Sequence, residues 1–456
     1  MTIEDKVKIA RECFSSGKTK SIDFRLEQLS QLEEGIRKLK PKILRALKED
    51  LNKSPYEASI SEIGIVLGEI HYVKKHLKAW SRPKRVRTAL SQAPARSYIY
   101  KEPYGLVLIM APWNYPFQLI INPLIGAISA GNAAVLKPSN YTPRTSEVIE
   151  ELVQTYLDRQ AFQLVKGGRE ENQALLDQRF DYIFFTGSPG VGRIVMEAAS
   201  KHLTPVCLEL GGKSPCLVEK TADIKKSAKR ILFGKLMNSG QTCISPDYIL
   251  VDKKVKKALI KELIEQYEKM LPTKEYVDQA FVRIINEKHR LRLEEAVRNQ
   301  KIIYQDHRIS GRHFPFTLVE NPDPDSKLMQ EEIFGPILPI LSYDEIREAF
   351  VFIRKREKPL ALYLFTKDKK IQRQVLEEVS FGGGCINDTL IHAASPYMPF
   401  GGVGQSGMGA YHGKKSFDTF SHKKSIVKKS WYLDLPLRYH PYKKKEEESP
   451  EFFFKL

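Results

Sequence analysis

The sequence predicts an α/β protein with two doubly wound domains, and three observations predict it. Between residues 104 and 210, short apolar runs at 104–110, 133–136, 163–165, 182–185 and 206–208 alternate with helix-like spacers, the pattern of a parallel sheet with crossover helices. The alternation resumes from 211 to about 400, which asks for a second α/β domain. The length of 456 residues suits two or more domains with a large core.

The elements follow in chain order. Residues 1–82 read as helices: apolar residues recur three and four apart from Ile22, and again from Tyr56 to Trp80. A polar connector, 82–96, leads into an alternating run at 97–102, an exposed extended segment suited to pairing with a partner subunit rather than with its neighbours. The tail from Pro436 carries a charge run, Lys443 to Glu448, and ends in Phe452, Phe453 and Phe454; runs of this kind are usually disordered.

Composition excludes several classes. Hydrophobic content of 42% and charged content of 28% are ordinary for a globular protein. No apolar run reaches the roughly 18 residues of a membrane helix, and the N-terminus lacks the apolar core of a secretory signal. The five cysteines (13, 207, 216, 243, 385) are widely spaced, with no CxxC pair and no histidine at ligand spacing. That argues against a metal site or a disulfide framework and fits a reducing cytoplasm. The net charge of +18 comes from Lys and Arg dispersed among acids, so nucleic acid is not the expected partner. Weak peripheral contact with acidic lipid is the residue of that argument.

Candidate chemistry centres on Cys243, in the small polar stretch Asn238 to Cys243 between a helical run (228–237) and a strand-like run (248–251). A thiol on such a loop can meet a ligand, although an unpaired cysteine by itself is usually a buried hydrophobe. Glu209 lies just before Gly211 and Gly212, where backbone can turn and a carboxylate can reach a pocket. A thiol nucleophile and a carboxylate able to activate water form a minimal kit for making and hydrolysing a thioester. Gly187, Ser188, Pro189, Gly190, Val191 and Gly192 separate a strand from a helix, where backbone can approach a phosphate; a tight structural turn would look the same. Asn114 follows the strand ending at Met110 and could donate to an oxyanion, or could be a turn residue between Pro112 and Pro116. Lys137 closes another strand, and Glu332 and Phe334 precede a Gly-Pro turn; each has an ordinary reading as surface or turn.

Together these stretches change meaning. Pro112 to Pro116, Lys137 to Ser139, Phe185 to Ser188, Glu209 to Pro215, Gly240 to Cys243, Glu332 to Pro336 and Pro399 to Gly404 occur in an order and form that resemble the aldehyde dehydrogenase superfamily. The early start and the run from Ser406 to His422 resemble its class 3 branch, which acts on fatty and aromatic aldehydes and is commonly dimeric. The resemblance implies a Rossmann-like dinucleotide-binding domain (1–81 and 101–208), a catalytic domain (209–412), an oligomerisation element (82–100 and 413–435) and a tail (436–456). It implies Cys243 as nucleophile, Asn114 with the Cys243 N–H as oxyanion donors, and Glu209 as the base for water. It further implies Gly187 to Gly192 at the pyrophosphate, Lys137 at the adenosine ribose, and Glu332 with Phe334 at the nicotinamide. The expected partners are NAD or NADP, an aldehyde and a second copy of the chain. Asn140 departs from the acid common at that position in the superfamily; without that negative charge the 2′-phosphate of NADP is no longer repelled. Two alternatives stand beside this reading: a relative that passes the acyl group to coenzyme A, against which Glu209 speaks, and a non-catalytic structural protein on the same fold, against which the intact thiol, base and amide speak.

Overall fold

A computed structural model describes residues 1–434 and 439–441; the charge run from Lys443 and the end of the tail lie outside the described residues. The N-terminal region is helical, in Ile3–Ser15, Ile22–Leu51 and Gly64–Trp80. Thr2 and Asp5 close a capping box on the first helix, satisfying two amides that would otherwise lack partners. The second helix buries Leu29, Leu32, Ile36, Leu39, Ile43 and Leu47, three or four residues apart, so one stripe faces the core.

The first sheet has six strands, in spatial order Gly407–Met408, Val206–Glu209, Tyr182–Thr186, Leu106–Met110, Ala133–Lys137 and Phe162–Leu164. All pairings are parallel except that of Gly407–Met408 with Val206–Glu209. Leu106–Met110, Ala133–Lys137 and Tyr182–Thr186 are buried throughout, which is why they read as continuous apolar runs and not as alternation. From Leu106–Met110 the chain winds outward through Ala133–Lys137 to Phe162–Leu164, then restarts on the other side with Tyr182–Thr186. A crevice opens at such a reversal, beyond the carboxyl ends of Met110 and Thr186.

The second sheet has seven strands: Ile302–Gln305, Thr317–Glu320, Ile337–Tyr343, Tyr248–Asp252, Pro215–Val218, Ala361–Phe365 and Gly383–Ile386. Only the pairing of Ile302–Gln305 with Thr317–Glu320 is antiparallel. Both Cys243 and Glu332 lie just before strands of this sheet, at its amino ends, whereas Asn114, Lys137, Gly187 and Glu209 lie at carboxyl ends of the first.

The extended run forms Ala95–Pro103, the centre of a third sheet between Lys84–Val86 and Ser421–Lys429. Its backbone therefore pairs within the chain on both sides, with the early connector and with a segment more than 300 residues on. Residues 82–103 and 421–434 together carry ten Lys and Arg against two acids, a concentration of charge that chain order conceals. Among the described residues no helix is long and apolar enough to cross a membrane.

Asn132 joins this element to the first sheet. It follows Gly131, the left-handed cap (φ 91°) of helix Gln118–Ala130. Its fully buried amide accepts from Gly105 N (3.0 Å) and donates to Phe420 O (2.9 Å) and Ala127 O (3.3 Å). Asn132→Ala leaves buried backbone groups unpaired and should lower stability by about 2–4 kcal/mol, measurable as a fall in the denaturation midpoint.

Candidate active site

The thiol loop begins where helix Ile224–Leu236 stops. Asn238 (φ 52°), Ser239 (φ 55°) and Gly240 (φ 73°) are successive left-handed residues, a conformation that costs non-glycine residues of order 1 kcal/mol or more each and persists only where the surroundings enforce it. The surroundings do so. Asn238 N donates to Glu57 Oε1 (2.7 Å), and Asn238 Nδ2 donates to Asn114 O (2.8 Å) and Gln241 O (3.0 Å). Gln241 Nε2 donates to Asn238 O and Arg283 O, both at 3.0 Å, while its Oε1 accepts from Ile285 N at 3.0 Å. A Cβ on Gly240 would lie 2.4 Å from Gly335 O, so only glycine admits the contact between this loop and the one carrying Glu332.

Asn114 reaches the thiol loop directly: its Nδ2 donates to Gln241 O at 3.0 Å. A backbone carbonyl only accepts, which fixes the orientation of the amide. The second N–H of that nitrogen remains for a ligand. The neighbouring Tyr115 hydroxyl bonds the Thr242 hydroxyl at 2.7 Å. Cys243 lies at a cavity of about 220 Å³ whose walls include Tyr115, Leu119, Phe233, Met237, Ile244 and Ile391. Burial, then the Glu332 and Glu209 carboxylates, push the Cys243 thiol up, so losing its proton requires a nearby acceptor.

Glu332 is held by its loop. Ile333 N donates to Asp247 Oδ2 (3.0 Å), Lys213 Nζ to Asp247 Oδ1 (2.6 Å), and Arg292 Nη1 to Glu332 O (3.1 Å). Glu332 Oε1 is buried without a partner, and a Cβ on Gly211 would lie 2.0 Å from Oε2. Phe334 is left-handed (φ 51°), and its ring meets Trp113 edge-on at 5.4 Å between centroids.

Glu209 ends its strand, buried, with Oε2 unpartnered and Oε1 3.9 Å from Cys207 Sγ, two residues back on the same face. Burial pushes its carboxyl well above the ordinary range. Glu209 O accepts from Gly187 N at 3.0 Å, joining it to the glycine loop. There Ser188 caps helix Pro189–Ser200, whose first turn holds no acid; Gly192 is buried, and its Cβ would meet Leu210 at 2.7 Å. Lys137 Nζ donates to Pro138 O (2.9 Å) and Gly167 O (2.7 Å), and burial pulls it down to about 8. Asn140 is exposed beside Gly168.

The structure thus brings Asn114, Cys243, Glu332 and Phe334 into one contact network. It joins Glu209 to Gly187 and sets Lys137 and Asn140 further along the same sheet edge. A dinucleotide fits this edge: the bare helix N-terminus suits a pyrophosphate, and Thr186 Oγ1 and Glu332 Oε1 are buried with no hydrogen-bond partner among the described residues, as groups that meet a ligand can be. Lys53, Glu57 and Glu62, which also touch the network, carried no signal in the sequence, because in a helical run they resemble any solvated charge.

Burial, then the Asp247 carboxylate, push Glu332 up to about 8 against the favourable pull of Lys213 and Arg292. An acid raised above its ordinary 4.5 contributes stability that is complete below that value and lost as pH rises through about 8. Glu332→Gln should therefore gain thermal stability over the wild type progressively from about pH 5 to about pH 9. A constant difference across a pH series of melting curves would contradict the burial.

Known proteins share this sequence and architecture. The chain is 48% identical over 454 residues to the 4,4'-diaponeurosporen-aldehyde dehydrogenase of Staphylococcus aureus, covering 99% of each. It is 44% identical over 432 residues to the dimeric NADP-preferring aldehyde dehydrogenase of Rattus norvegicus, covering 94% of this chain and 95% of the relative. The solved substrate-bound structure of Staphylococcus aureus AldH superposes with a TM-score of 0.96 at 48% identity, covering 99% of this chain and 100% of that one. Residues 1–426 match the aldehyde dehydrogenase family throughout, and the chain belongs to that family.

Proposed function

We propose that the chain oxidises apolar aliphatic or aromatic aldehydes to carboxylates with NAD or NADP, using Cys243 as nucleophile, Asn114 as oxyanion donor and Glu209 as base. The observation that carries this reading is the bond from Asn114 Nδ2 to Gln241 O. It holds the amide against the thiol loop, two residues before Cys243, and Cys243 itself lines a cavity walled mainly by apolar side chains.

The Cys243 thiol gives its proton to solvent, the thiolate Sγ bonds to the aldehyde carbon, and the carbonyl π pair moves to oxygen as an oxyanion held by the free Asn114 N–H and the Cys243 backbone N–H. One such donor is worth roughly 2.7–4 kcal/mol in comparable sites. A nicotinamide dinucleotide, when bound, would supply the hydride acceptor that the adduct needs to become a thioester. Gly187 to Gly192 would hold its pyrophosphate, Lys137 and Asn140 its adenosine ribose, and Glu332 and Phe334 its nicotinamide end. Glu209, whose Oε2 has no hydrogen-bond partner among the described residues, takes a proton from the water that attacks the thioester and releases the carboxylate. Transfer to coenzyme A would need no such base, which is why hydrolysis is preferred.

In this proposal residues 1–81 and 101–208 form the cofactor unit, 209–412 the catalytic unit, and 82–100 with 413–435 an assembly element. The relative from Rattus norvegicus is named dimeric, and the Ser421–Lys429 strand leaves an outer sheet edge unpaired among the described residues; a homodimer is the assembly proposed. Five free thiols suit a reducing cytoplasm.

Two experiments test the chemistry. Cys243→Ser should retain less than about 1% of aldehyde oxidation with cofactor binding unchanged. Glu209→Gln should keep the first-turnover burst of reduced nicotinamide and lose steady turnover as thioester accumulates; loss of the burst in folded protein would move Glu209 to thiol activation. A third concerns the cofactor. Two unit charges about 5 Å apart repel by roughly 3 kcal/mol at an effective dielectric near 20, so an acid at position 140 could cost NADP one to two orders of magnitude. Wild type should accept both cofactors within about a hundredfold, and Asn140→Glu should shift kcat/KM toward NAD; an unmoved ratio removes Asn140 from the argument.

A further inference from the structure

Three charged residues outside the proposed chemistry converge on it from one short N-terminal segment. Lys53 and Glu62 are fully buried and paired, Nζ to Oε1, at 2.6 Å. Lys53 Nζ also donates to Asn114 O at 3.3 Å and sits 4.2 Å above the Tyr115 ring. Glu62 Oε2 accepts from Phe117 N and Gln118 N, each at 3.0 Å, so the stretch 114–118 is gripped at both ends. Glu62 is aimed there by a widened helical turn, Ser59–Ile63, in an otherwise α-helical stretch; such turns often accompany functional sites. Glu57 Oε1 takes Asn238 N at the first left-handed residue of the thiol loop, and Asn238 in turn donates to Asn114 O.

We infer that Lys53, Glu57 and Glu62 are positioning residues that set the Asn114 amide against Cys243. A buried ion pair is weak evidence for stability, because desolvation offsets much of its attraction, and a well-packed apolar pair would serve stability as well. What an apolar pair cannot do is donate to the Asn114 carbonyl and accept from two amides at once. The Asn114 carbonyl has two lone pairs, and Lys53 and Asn238 occupy both, which immobilises the residue whose side chain must meet an oxyanion. Misplacement of about 1 Å in such a group costs rate rather than ground-state binding.

The inference rests on the proposed role of Asn114, and the experiment separates the two. Hydride-transfer rate from the first-turnover burst, aldehyde KM and cofactor affinity are measured for Lys53→Met, Glu57→Ala, Glu57→Gln, Asn114→Ala and the double variant Lys53→Met with Asn114→Ala. Lys53→Met should slow the burst by about tenfold to a hundredfold with KM and cofactor affinity within threefold of wild type. Glu57→Ala should slow it by about tenfold and Glu57→Gln, which keeps an acceptor for Asn238 N, should recover most of that. The double variant should be no slower than Asn114→Ala alone, since a group that acts through Asn114 has nothing left to position. Additive losses, or a uniform loss that Glu57→Gln does not rescue, overturn the inference. If Asn114→Ala itself leaves the burst unchanged, the reading of Asn114 fails instead. Should Lys53→Met not fold, the isolated charge is removed with the paired variant Lys53→Met/Glu62→Gln, and the Glu57 pair supplies the same contrast.

Discussion

The approach of Gly240 to the Gly335 carbonyl is the constraint on which the site depends. A Cβ at residue 240 would lie 2.4 Å from that oxygen, well inside contact distance, and its φ of 73° is one that only glycine adopts without penalty. The contact fixes the thiol loop against the loop that carries Glu332 and Phe334. Two further left-handed residues, Asn238 and Ser239, precede it, and Phe334 is left-handed on the opposing loop. At of order 1 kcal/mol or more apiece, these positions store several kcal/mol in a small volume. The offset comes from the hydrogen bonds that Asn238 and Gln241 donate, every one of them to backbone or to a carboxylate. The geometry is rigid because it is strained and held.

That rigidity serves an electrostatic purpose. Burial raises the acids Glu57, Glu209 and Glu332 and the thiol of Cys243 together. A site built this way disfavours charge before a ligand arrives, and any charge formed during reaction is stabilised by fixed donors rather than by water. Interactions at low effective dielectric are stronger than in solvent, so one correctly placed amide N–H counts for more here than at the surface. The same burial explains why the donors must be placed by other buried groups: a solvated lysine could not hold the Asn114 carbonyl in a single position.

Sequence and structure agree most closely where local rules decide. The buried strands of the first sheet read as apolar runs because both faces are covered, and the boundaries differ from expectation by a residue or two, as at Leu106–Met110, where Tyr104 and Gly105 fall outside. Cys243, Glu209, Asn114 and the glycine loop were legible as motifs in order along the chain. Contacts that cross long stretches of sequence were not. The pairing of Ala95–Pro103 with Ser421–Lys429 spans more than 300 residues; it gathers basic residues that look dispersed in the sequence into one sheet. Lys53 and Glu62 are nine residues apart, with no helical spacing to suggest a pair, because a widened turn intervenes. The rule that ligands bind at carboxyl ends of parallel strands holds for the first sheet and fails for the second, whose amino ends deliver Cys243 and Glu332. Loops at the carboxyl ends of the first sheet touch loops at the amino ends of the second, as Asn114 touches Gln241, a relation that no local pattern encodes.

The two helix N-termini at this seam are treated differently, and the difference sorts ligands by charge. Helix Gln118–Ala130 begins beside the thiol, and Glu62 takes the amides of Phe117 and Gln118 at its start. Its positive end is already matched by a buried carboxylate, so it offers little to a second anion. Helix Pro189–Ser200 begins at the glycine loop with no acid in its first turn, and its cap contact from Val191 N to Ser188 Oγ is long at 3.5 Å. Its dipole is left open. The open end therefore suits an anion such as the pyrophosphate of the proposed dinucleotide, and the matched end suits a neutral carbonyl. A carboxylate formed beside Gln118 would meet no free helix end among the described residues, in a cavity whose walls are mainly apolar. In the proposed reaction desolvation would then favour release of the charged product over its retention, so an arrangement that admits an apolar aldehyde would also expel the acid made from it.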